Sequence, residues 1–143
     1  MATSGFQLHS GNPQVVHVPE TTTASSFVAG DLVVLASGYV GLAAADDTIF
    51  GVSAKKASGT LNTSIPVYVL TPESTWIVQM ETTSAVAHLG QDYGVNIGTA
   101  GSMSVDTNQT GSVVVIDFFE PVGTATGKVL VKFSHEVCQS MEI

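Results

Sequence analysis

The segment Val113-Val-Val-Ile-Asp-Phe-Phe-Glu-Pro-Val-Gly-Thr-Ala-Thr-Gly-Lys-Val129 is the strongest chemical prospect in the chain, because a β-like run leads into a glycine-rich turn that ends on a lysine. A phosphate-binding loop has that outline. The motif also needs four residues between its glycines, a Ser or Thr after the lysine for magnesium, and a helix opening there to aim its N–H groups. Here three residues separate Gly123 from Gly127, Val129 follows the lysine, and Val129-Leu-Val-Lys-Phe133 continues as a strand pattern. The segment reads as a hairpin turn and not as a nucleotide site.

The other reactive side chains are scattered. His9, His17, His88 and His135 show no His-x-His or His-x3-His spacing, so no metal site is expected. Asp46 and Asp47 are adjacent; on a strand they would face opposite ways, and in a turn they serve as solvated groups or local caps. Asp117 and Glu120, near a strand end, read the same way. Cys138 has Glu136 nearby and no basic residue after it, which raises a thiol pKa and argues against a nucleophile. No Gly-x-Ser-x-Gly elbow singles out a serine. Asn62-Thr-Ser64 and Asn108-Gln-Thr110 fit the glycosylation pattern, as chance matches in a chain rich in Ser and Thr. We expect neither an enzyme nor a cofactor.

Composition narrows the classes further. The chain has 143 residues, a length suited to one domain that buries roughly two thirds of its unfolded surface. Its formal net charge is −8, with four lysines and no arginine. Arginine supplies the bidentate contacts that nucleic-acid binders use, and an acidic surface repels phosphates, so nucleic acid is excluded as an expected partner. Only 11% of residues are charged, against roughly a quarter in ordinary soluble domains, which suits protein contacts made through backbone and hydroxyl groups. No apolar run reaches the roughly 18 to 20 residues that span a bilayer, so no membrane association is expected. A single cysteine and the lack of a basic-then-apolar leader in the first twenty residues point to synthesis in a reducing cytoplasm.

The elements that would carry any site are short strands. Phe27 to Ala44 and Ile65 to Met80 hold two β-like runs, and Gly, Pro or Asp interrupts the chain every eight to twelve residues. Strands are expected near Leu32 to Ala36, Tyr39 to Ala43, Ile49 to Ala54, Ile65 to Leu70, Trp76 to Glu81, Val113 to Phe119 and Lys128 to Phe133. Two weaker ones fall in Gln91 to Ile97 and Ser102 to Asp106, joined by the Gly98-Thr-Ala-Gly101 turn. Ser37-Gly38 is tight-turn chemistry. Thr83 to Gly90 is the one helical candidate, and Lys55 to Ser64 is a projecting loop. No helix of crossover length separates the strands, so the fold is all-β: a small β-barrel or β-tulip-like body. Residues 1–26 read as an extended N-terminal arm, 27–135 as the β-barrel domain, and 136–143 as a surface or frayed C-terminal tail. Within the arm, Pro13 and Pro19 bracket Gln14-Val-Val-His-Val, which suits an added strand or the first strand of the domain's own sheet. Adjacent Phe118 and Phe119 must face opposite sides of a regular strand, a hint of an interface.

Several segments, in order, carry a family likeness. Phe27-Val-Ala-Gly-Asp-Leu-Val33, Phe50-Gly-Val-Ser-Ala-Lys-Lys-Ala-Ser-Gly59, Ile65-Pro-Val-Tyr-Val-Leu-Thr-Pro-Glu-Ser-Thr-Trp76, Asp92-Tyr-Gly-Val95 and Val129-Leu-Val-Lys-Phe133 together resemble the small head decoration, or cement, proteins of tailed bacteriophages. The resemblance implies a β-barrel or β-tulip domain that forms a homotrimer on the outside of an expanded capsid, near threefold or quasi-threefold positions. The major capsid protein is then the expected partner, and the virion exterior the expected location. The arm's apolar side chains, Phe6, Leu8, Val15, Val16 and Val18, are the expected capsid contacts. A virion-surface adhesion module binding glycans or a host surface, through loops such as Lys55 to Ser64, is the alternative.

Overall fold

The computed structural model describes residues 5–20, 27–43, 48–97 and 103–138. They form β1 (Gln7–Ser10), β2 (Val15–Pro19), β3 (Leu32–Ala36), β4 (Tyr39–Leu42), β5 (Gly51–Ser53), β6 (Ser64–Val69), β7 (Thr75–Gln79), β8 (Asp92–Asn96), β9 (Ser104–Asp106), β10 (Val113–Phe118) and β11 (Lys128–Phe133). The fold is all-β. One sheet runs β1-β7-β11-β10-β8-β9 and the other β2-β6-β5-β3-β4, with antiparallel ladders throughout. Among the described residues no helix is long and apolar enough to cross a membrane.

The sheets do not close into a continuous barrel. Each curls until its far elements touch through a single parallel bridge, Met80 with Val105 in the first sheet and Glu20 with Val40 in the second. The ladders stop there for local reasons. β9 has only three residues, and β2 reaches β4 only past Pro19, which has no N–H to donate.

The second sheet is apolar on both faces because it walls two cores. Leu32 and Val34 of β3 face the core between the sheets, whereas Val33 and Leu35 join Val18, Phe27, Val40, Ile65 and Val67 inside the curl. That explains a run such as Leu32-Val-Val-Leu35, which has no polar alternation. The inter-sheet core is built on Trp76, Met80, Met103, Phe133 and the inward valines of β10 and β11. Trp76 stands edge-on to Tyr68 at 6.0 Å, and Phe6 packs on Phe133 at 5.0 Å. Each such large side chain contributes about 1.5–3 kcal/mol on leaving water.

Turn chemistry follows the sequence where it is local. Ser37 and Gly38 both have positive φ, 52° and 85°, which a two-residue hairpin needs to match strand twist. A bulge between Val115 and Asp117 leaves Ile116 as the extra residue. Beyond it Phe118 packs against the core and Phe119 stays 53% exposed, so the two phenylalanines do part company.

Elsewhere the structure departs from expectation. Thr83 to Gly90 holds one 3-10 turn, Val86–His88, because no run long enough to propagate a helix exists there. The N-terminal region supplies a strand to each sheet: β1 pairs with β7 and β2 with β6. The Gln14 to Pro19 segment is thus a strand of the domain's own sheet. The tail is not frayed through Cys138. Val137 accepts the Ile49 N–H at 2.7 Å, Cys138 bridges Ile49, and its side chain is fully buried. Asp46, Asp47, the run 21–26, the turn 98–101 and residues 139–143 lie outside the described residues.

Gly51 shows how tightly the shared wall is packed. A Cβ there would overlap the Tyr68 carbonyl and the Val67 side chain, whereas one on Gly41 would meet nothing within 4 Å. Gly51→Ala is expected to lower stability by about 3 kcal/mol, the upper range for overpacking, with Gly41→Ala the near-neutral control in urea unfolding.

Candidate functional site

The five arm residues divide sharply. Phe6 is buried against Phe133, and Leu8 packs on the inter-sheet core. Val18 is buried in the second core, with Val16 packed against it. Only Val15, 46% exposed, presents a substantial apolar surface.

Most of the other exposed large apolar side chains lie on two segments next to β10. The two segments are fastened together. Ser84 N–H donates to Thr124 O at 3.2 Å, Gly123 N–H to Ser84 O at 2.9 Å, and Gly90 N–H to Val115 O at 2.8 Å. They carry Val86, Leu89, Ile116, Phe119 and Val122, all exposed, with Val86 at 67%. The Phe119 ring also stands edge-on to His9 of β1 at 6.4 Å. The expected reversal of adjacent phenylalanines marked Phe119, whereas Val86 and Leu89 fell in the helical candidate Thr83 to Gly90 and were not singled out.

The phosphate-loop candidate is self-satisfied. Within 121–128, the Thr124 N–H goes to Pro121 O at 3.2 Å, the Gly127 N–H to Thr124 O at 3.1 Å, and the Lys128 N–H to the Glu120 carboxylate at 2.8 Å. An anion would meet a carboxylate in place of a cradle of donors. Among the described residues no three His, Cys, Asp or Glu side chains group as a metal site. His88 Nδ1 accepts the Ala85 N–H at 3.0 Å, and His135 lies on a separate exposed turn. Burial, then the charge of Glu73, pushes the Cys138 thiol pKa up to about 11, which leaves it protonated and unreactive.

Two carboxylates have structural work. Glu20 is fully buried, and it receives the Ser58 N–H at 2.9 Å, the Ser58 hydroxyl at 2.6 Å and the Gly59 N–H at 2.9 Å. Its main chain binds the same loop, with the Glu20 N–H on Thr63 O and the Asn62 N–H on Glu20 O. The loop at Lys55 to Ser64 is therefore stapled to the end of β2. Burial opposes ionisation of Glu20, but the Ser58 and Gly59 donors and the Lys55 charge outweigh it and hold the carboxyl below its ordinary value. The second is Glu81, at the seam where Met80 meets Val105. Its hydrogen bond with Asp106, then burial and the Asp106 charge, raise its pKa. Asp106 is fixed in turn by the Asn108 N–H and the Gln109 side-chain amide, each at 2.9 Å.

Comparison with protein-family models, curated proteins and solved structures yields no match.

The carboxylates make opposite pH predictions. Glu20 has a depressed folded pKa, so its contribution is present above the ordinary glutamate range and is lost as pH falls through the folded value. Glu20→Gln should cost about 1–3 kcal/mol in urea unfolding near neutrality. Glu81 has a raised folded pKa, so its contribution is full below the ordinary range and is lost as pH rises through the raised value. The difference in thermal midpoint between wild type and Glu81→Gln should shrink or reverse across that rise; a difference independent of pH would contradict the shared-proton arrangement.

Proposed function

We propose that this chain is a structural virion protein that binds the outside of an expanded phage capsid and stabilises the head, as a trimer at threefold or quasi-threefold positions. The observation that carries the reading, beside the ordered resemblance to decoration proteins, is the exposure of Val86, Leu89, Ile116, Phe119 and Val122 on two segments that hydrogen bonds hold together. Monomeric domains seldom leave large apolar residues clustered on the surface without a partner, and this chain has few charges to keep such a surface apart from one. Those side chains are the assigned capsid contact, with Val15 as a secondary one.

The barrel-like or tulip-like part of the reading draws support from the curl of the second sheet, whose interior holds a core of its own. Both N-terminal strands are paired within the domain body. The N-terminal region acts in this reading as framework, and not as a free tether.

Stabilisation follows from linkage. A protein that binds the expanded lattice and not loose subunits stabilises that lattice by about 4 kcal/mol per site at a free concentration near a thousand times its dissociation constant. Threefold symmetry lets three contacts engage together and adds avidity.

Sedimentation equilibrium should give the mass of three chains, and the purified protein should co-sediment saturably with undecorated expanded heads and raise their heat resistance. Phe119→Ser and Val86→Ser together should weaken head binding about thirtyfold or more with an unchanged circular dichroism spectrum. Failure of wild-type protein to bind matched heads would end the proposal.

A further inference from the structure

The turn that carries Val86 and Leu89 is held by main chain at both ends and by one side chain in between. Ser84 is bonded to Gly123 and Thr124 on one side, and Gly90 to Val115 on the other. Between these anchors the 3-10 turn Val86–His88 starts at Ala85, whose methyl group cannot cap it. The cap comes from three residues ahead: His88 Nδ1 accepts the Ala85 N–H at 3.0 Å, while the His88 N–H donates to Ala85 O at 3.0 Å. Glutamine or glutamate fills that position in a capping box. A histidine makes the acceptor titratable.

The bond dictates a protonation state. An amide N–H can only donate, so Nδ1 must present a lone pair, and an imidazolium has none to present. Protonation would set two donors against each other. The surroundings offer no ion pair in return: among the described residues His88 has no such partner, and Tyr93 of β8 meets its ring edge-on at 5.7 Å. The charged groups of the neighbouring segments are Asp92, Asp117, Glu120 and Lys128. Their three carboxylates accept the main-chain N–H groups of Gly111, Phe118 and Lys128. Histidine side chains as a class change charge between about pH 5 and pH 8.

We infer that His88 is a pH-operated clasp on the turn that presents Val86 and Leu89. The neutral ring closes the turn; the protonated ring releases Ala85 while the anchors at Ser84 and Gly90 persist. A released turn must be ordered again when a partner covers it, and that ordering costs affinity. The consequence for capsid binding rests on the function proposed above, whereas the clasp itself does not.

Nitrogen-15 correlation spectra of the full-length protein are followed from about pH 8 to about pH 5 for wild type, His88→Gln and His88→Ala, each checked by circular dichroism. In wild type the Ala85 amide should shift together with the His88 ring resonances. Its protection from exchange should fall about two- to tenfold, the worth of one hydrogen bond. His88→Gln keeps an uncharged acceptor and should leave Ala85 closed throughout, whereas His88→Ala should leave it open at every pH. The same acidification should weaken head binding by a similar factor in wild type and not in His88→Gln. An Ala85 amide that ignores the His88 titration, or that moves as far in His88→Gln as in wild type, overturns the clasp. Heads bound at neutral pH and released equally by both proteins in acid overturn its control of binding. Wild type that binds no heads at any pH counts against the proposed function alone, and the Ala85 titration still decides the clasp.

Discussion

The wall made by β6, β5 and β3 is the constraint on which the rest of the molecule depends, because it faces apolar cores on both sides. Val52 and Tyr68 look into the space between the sheets, and Val33, Ile65 and Val67 look into the curl. A strand buried on both faces tolerates no surplus volume, so β5 runs Gly-Val-Ser with all three residues buried and no room for a Cβ at Gly51, and its one polar side chain, Ser53, donates its hydroxyl to Lys55 O. With its interior committed in this way, the chain has little space for clustered polar chemistry.

Polar groups that do go inside are fasteners. Glu20 uses its carboxylate and both main-chain groups to hold the long loop against the end of β2, and it bridges to Val40 where the second sheet nearly meets itself. At the seam of the first sheet the buried Asp106 bonds Glu81 on the surface. Both sit where a continuous ladder stops, so side-chain bonds replace the backbone bonds that closure would have supplied. An unfastened seam would expose strand edges, which proteins guard against.

The same economy shapes the exterior. Five exposed apolar side chains lie on two segments that hydrogen bonds hold together, with Asp117 and Glu120 between them along the second. The bulge at Ile116 matters here: one extra residue shifts the alternation, so Phe118 remains with the core and Phe119 is delivered to the surface. A local irregularity of the backbone therefore decides which aromatic ring reaches the surface.

Strand positions, turn residues and the all-β class were legible in the residues because each depends on short-range physics. Leu32 to Ala36 and Lys128 to Phe133 are strands at the expected positions, and Ser37-Gly38 turns where two positive φ angles are required. The failure of the phosphate loop was equally local, since Val129 and the missing helix rule it out before any fold is known. Distant pairing was not legible. Gln7 to Ser10 alternates too weakly to announce a strand, yet it becomes one because β7, nearly seventy residues on, offers an edge. Four of the five apolar arm residues look available for a partner in the sequence, but the domain's own cores claim Phe6, Leu8, Val16 and Val18. Cys138 reads as tail and is core for the same reason. Backbone preferences act between neighbours, whereas burial is assigned only when remote segments compete for the same space. The sequence therefore names the strands, and their packing decides which residues remain outside.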